Sequence, residues 1–374
     1  MKALYIADRW DPRDHSKASG TDYEIYQSLL REGFEVEIAG PYKIHYSLPE
    51  RLIRKIYSWF SDKSLMKYPF FYFLKSGFRV HQKLQKADYD VVVSLYSAPL
   101  VFPVIEKPFL YFCDSTIHWI KNYWRNFSDL SYLTMGAWEK RVIQKADHVI
   151  TFSRANADVL KNVYQMPRKE ITVFAIPASI PDDVVPDHVD HDRDLDQVNL
   201  LLVGRDYHRK GVDIAIDIVE GLRQQGISSE LRIVGLDGEN TQGVKFMGLY
   251  DKTDPTELEG YVENYRWAHF LLHPARFEAA GIVPSEAAAF GVPTLTNDTG
   301  GLATTVEDGV SGKVFPRESS ASVYIEEIRR MISAPDAYNQ LVKSTKERYH
   351  QELNWHQAGK TVARLVRQLA AEGR

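Results

Sequence analysis

The stretch His269–Phe315 sets an apolar run, Phe270-Leu271-Leu272, and a second short strand, Thr294-Leu295-Thr296, on either side of an alanine-rich segment, Ile282–Phe290. The first run stops at Pro274, and the alanine-rich segment closes on Gly291-Val292-Pro293. A glycine just past the last periodic residue with a proline beyond it is how a helix ends. The order is therefore strand, acidic loop, helix, strand, followed by the glycine pair Gly300-Gly301, where backbone can approach a ligand closely.

This order has chemical consequences. The N–H groups at Gly281, Ile282 and Val283 open a helix and favour an anion such as a pyrophosphate. Glu278 precedes that helix and Glu286 lies one to two turns inside it, with its side chain leaning back toward the same crevice. Two carboxylates beside a phosphate site suit sugar hydroxyls better than phosphate. Upstream, Val198–Val203 is apolar apart from Asn199 and predicts a strand buried on both faces. It leads into Gly204-Arg205-Asp206-Tyr207-His208-Arg209-Lys210-Gly211. In that loop Arg205 and Lys210 can neutralise a diphosphate, the first in bidentate fashion and the second as a point charge, with Arg209 expected to face solvent. Leu231–Val234 and Lys245–Met247 predict further short strands, the second leading to Tyr250.

Glu278 to Glu286 resembles the E-x7-E motif of the family 4 ("group 1") retaining glycosyltransferases of GT-B fold, and Gly204–Gly211 resembles that family's phosphate-binding G-R-x4-K-G. The resemblance implies two doubly wound Rossmann-like α/β domains facing across a cleft. It also implies Glu278 on the donor sugar, Glu286 on the ribose, Arg205 and Lys210 on the diphosphate, and Tyr250 beside the base. The family often carries an aromatic where Ala280 stands and a glutamate where Thr304 stands. Ser19-Gly20-Thr21 resembles the glycine-rich loop of the acceptor domain; a plain helix cap at Thr21 is the other reading. Asp114, with His118 as a second candidate, stands where the family often has a catalytic group after a strand, although an aspartate there is also a common helix cap.

The opening is strand, helix, strand (Lys2–Ala7, Thr21–Arg31, Val36–Ala39), which suggests a parallel doubly wound sheet. No G-x-G-x-x-G marks its first turn, which weighs against a nicotinamide oxidoreductase. The expected domains are 1–180 and 198–354, with helix 355–374 crossing back onto the first. A formal charge of −4 argues against nucleic-acid binding. One cysteine, Cys113, cannot form an internal disulfide and points to a reducing, cytoplasmic compartment; as a nucleophile it has no evident partner. Seven aspartates, including Asp190 and Asp192, lie between Pro181 and Gln197. They read as a solvated linker rather than a metal site, so no metal or cofactor is expected beyond a nucleotide sugar such as a UDP- or GDP-sugar.

Arg51–Lys86 holds nine Lys/Arg against one acid, Asp62, interleaved with aromatics. That composition suits a helix on an anionic membrane surface, or aromatics in the core with basic residues in water. The expected activity is sugar transfer from a nucleotide sugar to an acceptor, lipid-linked, membrane-displayed or soluble. A sugar-nucleotide epimerase of the same fold and a non-catalytic sugar- or membrane-binding protein are the alternatives.

Overall fold

The computed structural model describes residues 1–43, 46–65, 70–123, 126–167, 170–189 and 194–372, with Phe70 and Phe71 described by backbone alone. The chain forms two compact units: Met1–Phe174 together with Gly359–Arg374, and Ala175–Ala358.

In the first unit, β1 (Lys2–Ile6), β2 (Glu35–Ala39), β3 (Val91–Ser94), β4 (Phe109–Phe112), β5 (His148–Thr151) and β6 (Ile171–Val173) form one sheet in the order β2-β1-β3-β4-β5-β6. Every pairing is parallel. The central strands β3 and β4, VVVS and FLYF, are buried along their whole length, because helices cover both faces of a parallel sheet. The chain winds outward from β1 to β2, then returns to β3 and winds the other way, so the loops after β1 and β3 part and open a crevice at the strand ends. The closing helix, Trp355–Glu372, rests in this unit from Gly359 onward. There Gly359 lies against Ser28, and Arg367 Nη2 donates to the carbonyl of Glu32 at 2.7 Å.

The second unit repeats the plan. β7 (Val198–Val203), β8 (Ser229–Val234), β9 (Val244–Gly248), β10 (Phe270–His273), β11 (Thr294–Asn297) and β12 (Gly312–Phe315) lie in the order β12-β11-β10-β7-β8-β9, all parallel. Here the winding reverses between β7 and β10. The helices Val212–Gln224, Ala321–Ile332 and Pro335–Gln351 bury Ile218, Val219, Ile328 and Val342 against one face of this sheet.

Candidate functional site

The loops after β7 and β10 carry the candidate donor residues, and glycines let the two loops touch. Helix Tyr207–Lys210 is capped by the Asp206 side chain, which accepts from Arg209 N at 2.8 Å. It ends on left-handed Gly211, where a Cβ would stand 2.2 Å from the carbonyl oxygen of Pro274. Only glycine admits that approach between the β7 loop and the end of β10. The stem of Lys210 folds back over Gly204, where a Cβ would meet Lys210 Cγ at 2.5 Å. Lys210 is thereby buried and aimed at Glu278.

Glu278 Oε2 pairs with Lys210 Nζ, accepts from Arg209 Nη1 at 3.0 Å and lies 3.6 Å from His273 Nε2. Lys210 Nζ is 3.5 Å from that same His273 nitrogen. Burial alone would raise the Glu278 carboxyl, but Lys210, His273 and Arg209 reverse this and hold it far below the usual carboxylate range. Burial, together with the charge of Lys210, pushes His273 down to about 4, so its imidazole stays neutral at physiological pH. Burial also lowers the Lys210 ammonium, against the pull of Glu278. Arg209, expected to be solvated, instead bridges Glu278 and the Phe277 carbonyl, because the short helix turns it inward beside Lys210. Arg205 is exposed and makes no ion pair among the described residues. Arg276 braces the loop by gripping both oxygens of Asp213 at 2.8 and 2.6 Å.

The glycine pair approaches protein backbone. At Gly300 a Cβ would fall 1.6 Å from the Glu278 carbonyl oxygen, and Gly301 N donates to that oxygen at 2.9 Å. Gly300-Gly301 therefore fixes the height of Glu278.

The second carboxylate has its own partners. Helix Ile282–Ala289 starts at left-handed Gly281 with no side-chain cap, leaving the first N–H groups, Val283 among them, without one. Glu286 on this helix is fully buried. Its Oε2 accepts from the hydroxyls of Tyr261 and Tyr265 at 2.6 and 2.9 Å, and its Oε1 pairs with Lys252 Nζ at 2.6 Å. Lys252 also sits 4.6 Å over the Tyr261 ring. Burial first, then the charge of Glu286, raises both tyrosine hydroxyls well above their ordinary value, so they remain donors; Arg205 pulls the other way on Tyr261. Tyr250 packs edge-on to Tyr261 with centroids 6.1 Å apart and fills the space over Gly260. Lys252, Tyr261, Tyr265 and His273 escaped the sequence reading. The i, i+4 spacing of the two tyrosines was their one available signal.

In the first unit, Ser19 and Gly20 are both left-handed, and Gly20 rather than Thr21 is the N-cap of helix Thr21–Arg31. Asp114 is half-buried beyond the end of β4, and His118 is exposed on helix Ile117–Ile120, whose cap is Thr116. Cys113 is buried, and that burial, then Glu139, pushes its thiol well up, against any nucleophilic role. At the winding reversal, Asp22 is buried and accepts from the hydroxyls of Tyr5 and, at 3.1 Å, Tyr96.

The basic aromatic segment divides in two. Helix Leu48–Phe60 buries nothing and exposes Leu48, Leu52, Ile53, Trp59 and Phe60. Helix Phe70–Lys86 instead sends Tyr72, Phe73, Val80 and Leu84 into the core. Lys67 and Tyr68, like Asp190 and Asp192 of the acidic linker, lie outside the described residues. Among the described residues no group of three or more His, Cys, Asp or Glu converges as a metal site, and no helix is long and apolar enough to cross a membrane.

Residues 186–348 match the family described as Glycosyl transferases group 1, and residues 23–175 match Glycosyltransferase Family 4. A glycogen synthase from Pseudomonas savastanoi pv. phaseolicola is 30% identical over 181 residues, covering 45% of this chain and 35% of its own length. The match thus spans about a third of that relative. Among solved structures, WaaG, a glycosyltransferase involved in lipopolysaccharide biosynthesis, superposes with TM-score 0.62 at 18% identity over 98% of this chain and 99% of its own. Anabaena Alr3699/HepE in complex with UDP-glucose gives 0.62 at 15% identity, covering 100% of both chains. Two parallel doubly wound units, each matched by the corresponding half of one enzyme family, place this chain in the group 1 glycosyltransferases of GT-B fold.

Proposed function

We infer that this chain transfers a sugar from a nucleotide-sugar donor to an acceptor, with retention of anomeric configuration. The observation that carries this is the Lys210–Glu278 pair at the winding reversal of the second unit, flanked by an Arg205 with no carboxylate partner among the described residues. Arg205 and Lys210 meet the diphosphate and stabilise the charge that builds on it as the glycosidic bond breaks. Glu278, kept ionised by its basic neighbours, accepts hydrogen bonds from the sugar hydroxyls and supports positive charge at the anomeric carbon. Glu286, oriented by two tyrosines and Lys252, receives the ribose, with Tyr250 beside the base. The oxygen of the departing phosphate takes the acceptor's proton, so no protein base is needed. The UDP-glucose bound by the Anabaena neighbour supports a uridine nucleotide sugar as the first donor to try. Calorimetry with UDP tests the donor site: Arg205→Ala should weaken binding about tenfold, the loss expected for one charge-assisted contact. Unchanged affinity removes the diphosphate assignment.

The acceptor is lipid-linked or membrane-displayed, and the protein docks peripherally on an anionic surface through helix Leu48–Phe60. The support is that helix's exposed apolar side beside Arg51, Arg54 and Lys55. Flotation with anionic vesicles should recover the wild type and lose a Trp59→Ser/Phe60→Ser variant. A wild type that stays behind at low salt leaves a soluble acceptor as the answer. Turnover should survive EDTA, since the chemistry rests on side-chain cations; loss restored by manganese would contradict this.

A further inference from the structure

The first unit contains a cavity of about 230 Å³ between the loop before helix Leu48–Phe60 and helix Phe70–Lys86, lined by Tyr42, Lys43, Tyr46, Tyr72, Lys75 and Arg79. Tyr72, Lys75 and Arg79 stand at i, i+3 and i+7, so one helix face presents them together. Lys43, Lys75 and Arg79 form no ion pair with any carboxylate among the described residues. The nearby acids are committed elsewhere. Glu50 Oε2 closes the helix cap by accepting from Ser47 N at 2.8 Å and Ser47 Oγ at 2.7 Å. Asp8 accepts the Tyr72 hydroxyl and lies 3.6 Å from Arg9 Nε. Tyr46 is held in place from outside, with the Arg54 guanidinium 4.6 Å over its ring and Arg51 Nε donating to its carbonyl at 3.1 Å. The Tyr42 hydroxyl has no hydrogen-bond partner among the described residues, and burial raises it to about 12 against the opposing charge of Arg79, so it remains a donor. The cavity thus gathers three exposed cations and a tyrosine donor, with no carboxylate paired to those cations among the described residues.

We propose that this cavity binds a phosphate group, carried by a membrane lipid headgroup or by a soluble phosphate ester, on the acceptor side of the molecule. A dianion matches the unpaired charge, and Arg79 offers the planar fork that grips two phosphate oxygens. The volume falls below the ~300–1,000 Å³ of sites for drug-sized ligands, which suits a headgroup rather than a whole nucleotide. The cavity also reaches the winding reversal of this unit. Tyr42 N donates to the Asp8 carbonyl at 2.6 Å just beyond β1, and Tyr72 bonds the Asp8 side chain. The exposed helix Leu48–Phe60 begins at its rim. The word acceptor rests on the transferase reading above; the binding itself does not.

Two probes distinguish the sources. The first is flotation with phosphatidylcholine vesicles containing phosphatidic acid or phosphatidylserine at matched surface charge. The second is titration with glucose 6-phosphate, followed by thermal shift. Wild type should prefer phosphatidic acid or bind the soluble ester saturably, and Lys75→Gln/Arg79→Gln should weaken that binding by at least about tenfold, each lost cation removing a charge-assisted contact. Both residues are exposed, and an unchanged melting transition of the first unit, measured without ligand, verifies that the altered unit is folded. The Trp59→Ser/Phe60→Ser variant should lose vesicle binding whatever the headgroup and keep any response to glucose 6-phosphate. A wild type indifferent to both probes, or a double variant that binds as the wild type does, overturns the proposal. Loss of UDP binding by the wild type would instead strike the donor assignment.

Discussion

Glu278 is where charge, burial and backbone geometry converge, and its environment separates chemistry from binding. Its carboxylate has three basic neighbours and is 16% exposed, so it enters any reaction already ionised. Glu278→Gln keeps the size and removes the charge. Turnover should fall by at least a hundredfold, on the order of the roughly 3 kcal/mol that one preorganised electrostatic group contributes. UDP affinity should change little, because the sugar and not the nucleotide meets this residue; parallel losses in kcat and UDP affinity would make Glu278 a structural or ribose-binding group. Lys210 behaves differently. Removing it leaves Glu278 with Arg209 alone as a charged partner, so Lys210→Ala should cost stability as well as donor affinity. A thermal melt indistinguishable from wild type would show that the pair is solvated in practice.

At the scale of elements, short glycine-bearing turns carry the precision of the site. Gly300→Ala would drive a Cβ into the Glu278 carbonyl at a residue with φ 61°. It should displace that loop, lower UDP-sugar turnover and bring down the melting transition of the second unit while leaving that of the first unit where it was, as activity and two-domain melting measured on one sample would reveal. Normal turnover would mean that the loop yields at no cost. This is also where the sequence was least legible. Val198–Val203, Thr21–Arg31 and the E-x7-E segment announced themselves by apolar pattern and glycine punctuation, and the structure has them at those residues. The glycine pair read as a place for a ligand, because sequence reports that backbone comes close without saying what it comes close to. Arg209 read as solvated for a similar reason: the direction of a side chain on a four-residue helix depends on the neighbouring loop from β10. Lys252 and the two tyrosines around Glu286 come from 21 to 34 residues away in the chain, and no local period links them to it. In the basic aromatic stretch, helix Phe70–Lys86 meets the core reading with Tyr72 and Phe73, whereas helix Leu48–Phe60 is exposed throughout, and its composition alone does not say what covers it.

On the scale of the whole molecule, the two units shift their buried ionisable groups in opposite directions, and that gives them opposite responses to acid. In the first unit, burial raises Asp22 from 3.8 to about 6, offset in part by hydrogen bonds from Tyr5 and Tyr96. Burial likewise raises Glu139 from 4.5 to about 7, against hydrogen bonds from the Tyr164 hydroxyl and Ile117 N. Between those limits the folded unit holds protons that the unfolded chain has released, so its unfolding free energy falls as pH rises from about 4 to 7. His148, half-buried and lowered, opposes this, and at the acid end of the window so do Asp11, Asp14 and Asp88, lowered by hydrogen bonds from Arg13, Ser16 and Lys2. In the second unit, His273 is lowered from 6.5 to about 4, His350 is lowered too, and Glu278 is held below its ordinary 4.5. There the unfolded chain binds more protons in the same window, so stability grows as pH rises. Calorimetric scans from pH 4.5 to 7 should therefore resolve two transitions that move in opposite directions, the first unit melting earlier and the second later as pH increases. Asp22→Asn and Glu139→Gln together should flatten the pH dependence of the first transition and leave the second untouched, whereas His273→Gln should reduce the slope of the second alone. Two transitions that drift in parallel, or a single one whose slope ignores all three substitutions, would mean that the buried acids of the first unit and the imidazole of the second do not govern the balance between them.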